Sequence, residues 1–307
     1  MIPIEILKDL FFIERGYLNA NHFVYRSDNP VLIDTAYISD FDDTRARIEA
    51  LGVKLSKINL IISTHSHSDH IGGNKFIQDE SGCDIAIHRI GKHFIDTRDD
   101  WATWWRYYGH EAEFFTATRV LDDGDRIAIG PHEFRIVYTP GHASDGIVLY
   151  NQKEKILISS DTLWENDMPG MTLRVEGSTA LFRFEESLEK IKELDIRMVY
   201  PGHGRPFDNV AEAIARSQKK IRNYLKNKEL IGLDLLKRIT IYTLLMHKGF
   251  SEDHFFDHLM QTHWFKETIE LYFNGNYRDM YDEVVGGFFD RGIVKNENNL
   301  LVTTVRP

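Results

Sequence analysis

The chain has 307 residues, a formal net charge of -10 and one cysteine, Cys83, with 42% hydrophobic and 27% charged residues. That is the composition of an ordinary globular protein long enough for two domains, and its acidic balance weighs against a general polyanion binder. A lone cysteine excludes an intrachain disulfide and any thiolate-rich metal site, and no apolar run approaches the ~18 residues of a membrane span.

The opening stretch MIPIEILKDLFFIERG has acidic residues and neither a basic flank nor a small-residue cleavage site, so it reads as mature structure and predicts a cytoplasmic protein. HFVYRS and PVLIDTAY predict neighbouring strands, and DFDDTRARIEALG a helix that Asp40 or Asp42 caps and Gly52 stops. INLIIST is almost continuously apolar, as a strand covered on both faces would be. A helix over GGNKFIQDESG and a strand over CDIAIHR follow. Residues 96–115 hold Trp101, Trp104, Trp105, Tyr107, Tyr108, Phe114 and Phe115. Read as a helical insertion, this segment puts its three tryptophans on one stripe at i, i+3 and i+4, placed to roof an apolar pocket or to pack as core. Strands resume at RIAIG, HEFRIVYT, GIVLYN and KILISS. An amphipathic helix covers 183–194, and IRMVY is a last strand. Beyond Pro206 the pattern turns helical up to about residue 290 and closes on two short β runs around an Asn-rich turn, GIVKNENNLLVTTV. The expected division is a domain over 1–206 and a mainly helical, winged-helix-like domain over 207–307.

Four of these strands end in polar turns rich in metal-ligating residues: THSHSDH with His65, His67, Asp69 and His70; PGHAS with His142; SSDT with Asp161; and PGHGRP with His203. In layered α/β folds, loops beyond strand ends are where sites are assembled. Five imidazoles and two carboxylates gathered there would be costly to bury without a cation. His and Asp suit zinc, iron or manganese, and a set without cysteine suits a catalytic site better than a structural one. Asp34, in LIDTAY, is a candidate support for the His-rich loop. The remaining histidines, His22, His88, His93, His110, His132 and those beyond 245, carry no such pattern.

HSHSDH with downstream His142, Asp161 and His203 resembles the metallo-β-lactamase-fold hydrolase superfamily, over roughly residues 15–206. The resemblance implies an αββα sandwich, two mixed sheets face to face with helices outside. It implies one metal site from His65, His67 and His142, a second from Asp69, His70 and His203, and Asp161 bridging two divalent ions, zinc by default. True β-lactamases of the family usually carry cysteine where Asp161 stands; aspartate resembles the glyoxalase II, lactonase and RNA-processing branches. The chemistry implied is hydrolysis of a thioester, ester or lactone through a metal-bound hydroxide, with Asp69 also relaying a proton. DTLWENDMPGMTLRV departs from glyoxalase II after Asp161. The alternative is a metal-dependent ribonuclease or phosphodiesterase, similar to the β-lactamase-like-protein-2 group. It draws support from the winged-helix-like tail and from the eight basic and two acidic residues between Arg216 and Arg238. The expected partner is a small acyl substrate, with RNA second and self-association open. An aromatic, enclosed pocket above the ligands favours the first reading; an open basic groove favours the second.

Overall fold

A computed structural model describes residues 2–307. Its first sheet runs β1 (Ile4–Leu7), β2 (Leu10–Ile13), β3 (His22–Tyr25), β4 (Val31–Ile33), β5 (Leu60–Ile62), β6 (Asp84–His88) and β7 (Arg119–Leu121), in that order. The first four strands are antiparallel, and β4 to β7 are parallel. The second sheet is formed by β8 (Arg126–Ile129), β9 (His132–Tyr138), β10 (Ile147–Asn151), β11 (Ile156–Ser160) and β12 (Met198–Pro201), also in order, with only the β11–β12 pair parallel. A third, small sheet joins β13 (Phe250–Ser251), β14 (Val294–Glu297) and β15 (Leu300–Thr303), with β15 central.

Successive strand residues face opposite sides, and in the central strands both sides are dry. In β4 to β6, Val31, Ile33, Leu60, Ile62 and Ala86 point into the space between the two large sheets, where they meet Phe134, Ile136, Ile147, Leu149 and Ile158. Leu32, Ile61, Ile85 and Ile87 point outward and are covered by the helices α1 (Phe41–Ala50), α2 (Ser68–Ile71), α3 (Asn74–Ser81) and α4 (Arg89–Thr97), through Ile48, Ile71, Ile77 and Ile95. That double burial is why INLIIST reads as an almost continuously apolar sequence. After the one-turn helices α5 (Trp105–Tyr108) and α6 (Leu173–Glu176), α7 (Ala180–Lys192) and α8 (Val210–Lys226) cover the outer face of the second sheet, setting Leu181, Phe184, Leu188, Ile214 and Ile221 against Val137, Val148, Leu157 and Val199. The layers are helix, sheet, sheet, helix: an αββα sandwich followed by a helical C-terminal region.

That region contains α9 (Glu229–Met246), α10 (Glu252–Leu259), α11 (His263–Phe273) and α12 (Tyr277–Asp290), closed by the β14–β15 hairpin. Asn298 and Asn299 turn the hairpin with positive φ, a conformation asparagine tolerates better than most residues. The region's core is shared with the sandwich: Leu236, Ile239, Trp264, Phe265 and Ile269 pack in one cluster with Leu18, Tyr37, Trp104 and Tyr108.

The aromatic insertion departs from its sequence expectation. It is mostly turns, stitched by the Asp99 carboxylate, which accepts from the backbone N–H of Trp101 and of Ala102. Trp104 sits at φ 71, and helix begins only at Trp105 and ends at Gly109, φ 69. A residue in the left-handed region cannot continue a right-handed helix, so the stripe does not form. The three indoles go three ways: Trp105 into the core beneath the first sheet's helices, Trp101 against Tyr107 and His263, and Trp104 toward the histidines.

Candidate metal centre

All seven ligand candidates converge where strands of both large sheets end. His65, His67, Asp69 and His70 follow β5; His142 follows β9; Asp161 follows β11; His203 follows β12. They fall into two groups, His65 with His67 and His142, and Asp69 with His70, Asp161 and His203, each with potential ligand atoms within 4.8 Å of one another. Asp161 touches both. Its Oδ2 lies 3.5 Å from His142 Nε2, 3.5 Å from His70 Nε2 and 3.8 Å from His203 Nε2. Its backbone follows Ser160 at φ 45, a strained conformation of the kind found at functional sites. Gly202 allows the His203 loop to close on it: a Cβ there would stand 2.1 Å from Asp161 Oδ1.

The outer contacts aim the rings. Asp34, at φ 57, accepts from the Thr64 backbone N–H and hydroxyl and from His70 Nδ1, each at 2.8 Å, which turns His70 Nε2 inward. His142 Nδ1 donates to the Gly170 carbonyl at 2.8 Å and His203 Nδ1 to the Gly16 carbonyl at 3.2 Å. A histidine whose far nitrogen is tied to an acceptor presents the other nitrogen as a ligand. Asn21, absent from the sequence reading, accepts from the Arg15 N–H and donates to the Pro201 and Gly204 carbonyls, pinning the His203 turn.

The arrangement fits divalent cations. The Nε2 atoms of His70 and His142 are buried without a hydrogen-bond partner, and His65 Nε2 faces His67 Nδ1 at 3.0 Å. Ring nitrogens are left converging on shared space without partners, which costs free energy unless something meets them. Burial pushes His65 and His67 well below the ordinary imidazole range, and His142 below it, so the first group is three neutral imidazoles. In the second group burial opposes charge, but Asp161 first and its neighbouring carboxylates raise His70 and His203. Burial likewise pushes Asp69 and Asp161 up, yet the nearby histidines hold both below the usual carboxylate range. This group calls for positive charge.

Over the two groups lies a cavity of about 390 Å³, with His67, Asp69, His142, Asp161 and His203 on its floor. Its walls are Trp104, Tyr108, His110 and Trp164 from the sandwich loops, Leu235, Arg238, Ile239 and Tyr242 from α9, and Tyr17, Val305 and Arg306. Sequence reasoning misses His110 because nothing flanks it that resembles a site. It stacks between Tyr108 and Tyr242, centroids 5.3 and 4.6 Å away, with Nδ1 3.0 Å from the Ser68 hydroxyl.

A family model described as "Metallo-beta-lactamase superfamily" matches residues 16–203. The chain belongs to the metallo-beta-lactamase superfamily. It is a metallohydrolase of that superfamily, with an all-histidine cluster and a His/Asp cluster that together are consistent with a binuclear site. A relative named beta-lactamase-like protein 2 homolog, from Caenorhabditis elegans, is 27% identical over 259 residues, covering 77% of this chain and 78% of that protein. A hydroxyacylglutathione hydrolase from Francisella tularensis subsp. novicida is 27% identical over 219 residues, 70% of this chain and 77% of that one. Among solved structures, a metallo-beta-lactamase family protein from Thermus thermophilus aligns over 97% of this chain and 99% of its own at a TM-score of 0.61 and 18% identity. A metallo-beta-lactamase from Cronobacter sakazakii aligns at the same TM-score and 17% identity, over 74% of this chain and 97% of its own. These structural likenesses speak to the fold, and the first extends through the C-terminal helices.

Proposed function

We propose that the chain hydrolyses a small acyl substrate, a thioester first and an ester or lactone next. In this reading His65, His67 and His142 would hold one divalent ion and Asp69, His70 and His203 a second, with Asp161 as the carboxylate that would be shared between the two sites, zinc the default and iron or manganese chemically suited. The observation that carries the substrate class is the aromatic and aliphatic cavity above the ligands, of a size that takes a small ligand. The relative named hydroxyacylglutathione hydrolase supports a thioester within that class.

Divalent ions bound there would supply Lewis acidity and would lower the pKa of a water towards ~7. The protein's own part is positioning and proton transfer. Asp69, kept ionised by His70 and His203, lines the cavity and would take the proton that the attacking water gives up, then return it to the leaving group. Trp104, Tyr108, Ile239 and Tyr242 would receive the acyl chain and keep bulk water off the carbonyl. Residues 1–206 thus carry the chemistry, and residues 207–307 contribute one wall of the substrate site through α9.

Ribonuclease activity is the weaker reading. It asks for several free cations along a groove, but of the three arginines at the cavity Arg15 is ion-paired with Asp43 and Arg238 with Asp167 and Asp234, which leaves Arg306 alone without a carboxylate among the described residues, and Lys220 of α8 is paired with the same two aspartates. Assaying zinc-loaded protein against acyl thioesters, lactones, carboxylate esters and single-stranded RNA tests the choice. Thioester hydrolysis without RNA cleavage is expected, and RNA cleavage without acyl hydrolysis would reverse it.

A further inference from the structure

Four of the five clustered histidines have an ordinary outer hydrogen-bond partner: Thr64 for His65, Asp34 for His70, and the carbonyls of Gly170 and Gly16 for His142 and His203. His67 has none. Its Nδ1 faces into the cluster at His65, and its Nε2 is buried without a partner. What lies on the ring instead is the Trp104 indole, 3.8 Å away between centroids and inclined by 33°. The same indole stands edge-on to His142 at 5.0 Å.

Trp104 is itself held. Its N–H donates to Glu176 Oε1 at 2.7 Å, and Glu176 Oε2 is hydrogen-bonded to the Ser144 hydroxyl at 2.5 Å. Glu176 is 8% exposed and has no cationic partner among the described residues. A buried carboxyl is costly unless it is neutral and hydrogen-bonded, and both oxygens of Glu176 are engaged, one of them by the Trp104 indole. An imidazole without an outer hydrogen bond is free to turn about its χ2, and a face-on indole blocks that rotation only while the indole stays in place.

We infer that Glu176 is a positioning residue of the metal centre: it anchors the Trp104 indole, and the indole fixes the ring plane of His67 in place of the missing outer hydrogen bond. The inference rests on the reading of His67 as a metal ligand.

The test compares Glu176→Gln, which keeps an acceptor for Trp104 and a polar partner for Ser144, with Glu176→Leu, which removes both. The readouts are zinc affinity of the metal-stripped protein by chelator competition, the visible spectrum of the cobalt-substituted protein, and the melting temperature of the metal-free form. Glu176→Leu should bind one of its two ions about 10- to 100-fold more weakly and shift the cobalt spectrum, while Glu176→Gln stays within about three-fold of wild type, as outer-contact substitutions of metal ligands behave. If Glu176→Leu does not fold, Trp104→Phe, which keeps an aromatic face and loses the N–H, carries the same expectation. A lower melting temperature with wild-type zinc affinity and cobalt spectrum would make Glu176 a packing residue and overturn the inference. So would a Glu176→Gln variant as impaired as Glu176→Leu. Wild-type protein that binds no zinc would instead overturn the metal-centre reading, and this inference with it.

Discussion

Asp161 Oδ2 lies within 3.8 Å of imidazole nitrogens from both ligand groups, so a change at this carboxylate should be felt by both. Asp161→Asn keeps the shape and removes a charge. It is expected to weaken at least one ion and to cut turnover by ~100-fold or more while circular dichroism stays that of the wild type; unchanged turnover would remove the bridging role. Glu176 offers a separate titration. Burial pushes its carboxyl up to about 8 from 4.5, so between those values the folded chain keeps a proton that the unfolded chain has lost. The stability this group contributes is full below about 4.5 and declines as pH rises through about 8. Gln mimics the neutral acid without titrating. Urea unfolding of metal-free Glu176→Gln should therefore gain on wild type by ~1.4 kcal/mol per pH unit between about pH 5 and 8, and a constant difference would show that Glu176 does not titrate there. At this scale the sequence told much but unevenly. The seven ligand candidates stood out because each follows an apolar strand run. Glu176, Asn21 and His110 did not, because each role also needs a partner between 32 and 183 residues away, and no local pattern announces such contacts.

At the scale of elements, strands and long helices were legible wherever burial imposes a period. The β4–β6 run was clear because both faces are dry, and α7 because its stripe covers the second sheet. The aromatic insertion was not: the i, i+3, i+4 spacing of its tryptophans suits one helix face, but the Asp99-capped turn and the left-handed Trp104 override that pattern. The outcome separates two tryptophans that are adjacent in sequence. Trp105 is core, with its N–H donated to the Ser66 carbonyl at 3.0 Å. Trp105→Ala should cost ~3–5 kcal/mol of stability and leave acyl preference unchanged in whatever protein folds. A shift in preference without a loss of stability would place Trp105 in the cavity instead. Ile239 of α9 is on the cavity wall. Ile239→Ala should raise kcat/KM for longer acyl chains relative to short ones by ~10-fold, the scale set by one or two methylenes in an apolar pocket. An unchanged chain-length profile would detach α9 from the substrate.

At the scale of the whole molecule, the sandwich was readable because strand ends and ligands recur together in order, a pattern that a single resemblance then organised. The cavity above the ligand candidates was not readable, since it exists only where α9 and the residues around Val305 meet the loops of the sandwich. α8, which lies beyond residue 206 in sequence, packs with α7 over the second sheet. The central claim, an acyl hydrolase that works through two metal ions, is tested most directly by titrating metal-stripped protein with zinc while following hydrolysis of an acyl thioester. The account predicts negligible turnover without zinc and a rise that saturates at about two equivalents per chain. Turnover that is undiminished in the metal-free protein, or absent at every zinc equivalence while RNA is cleaved, would contradict it.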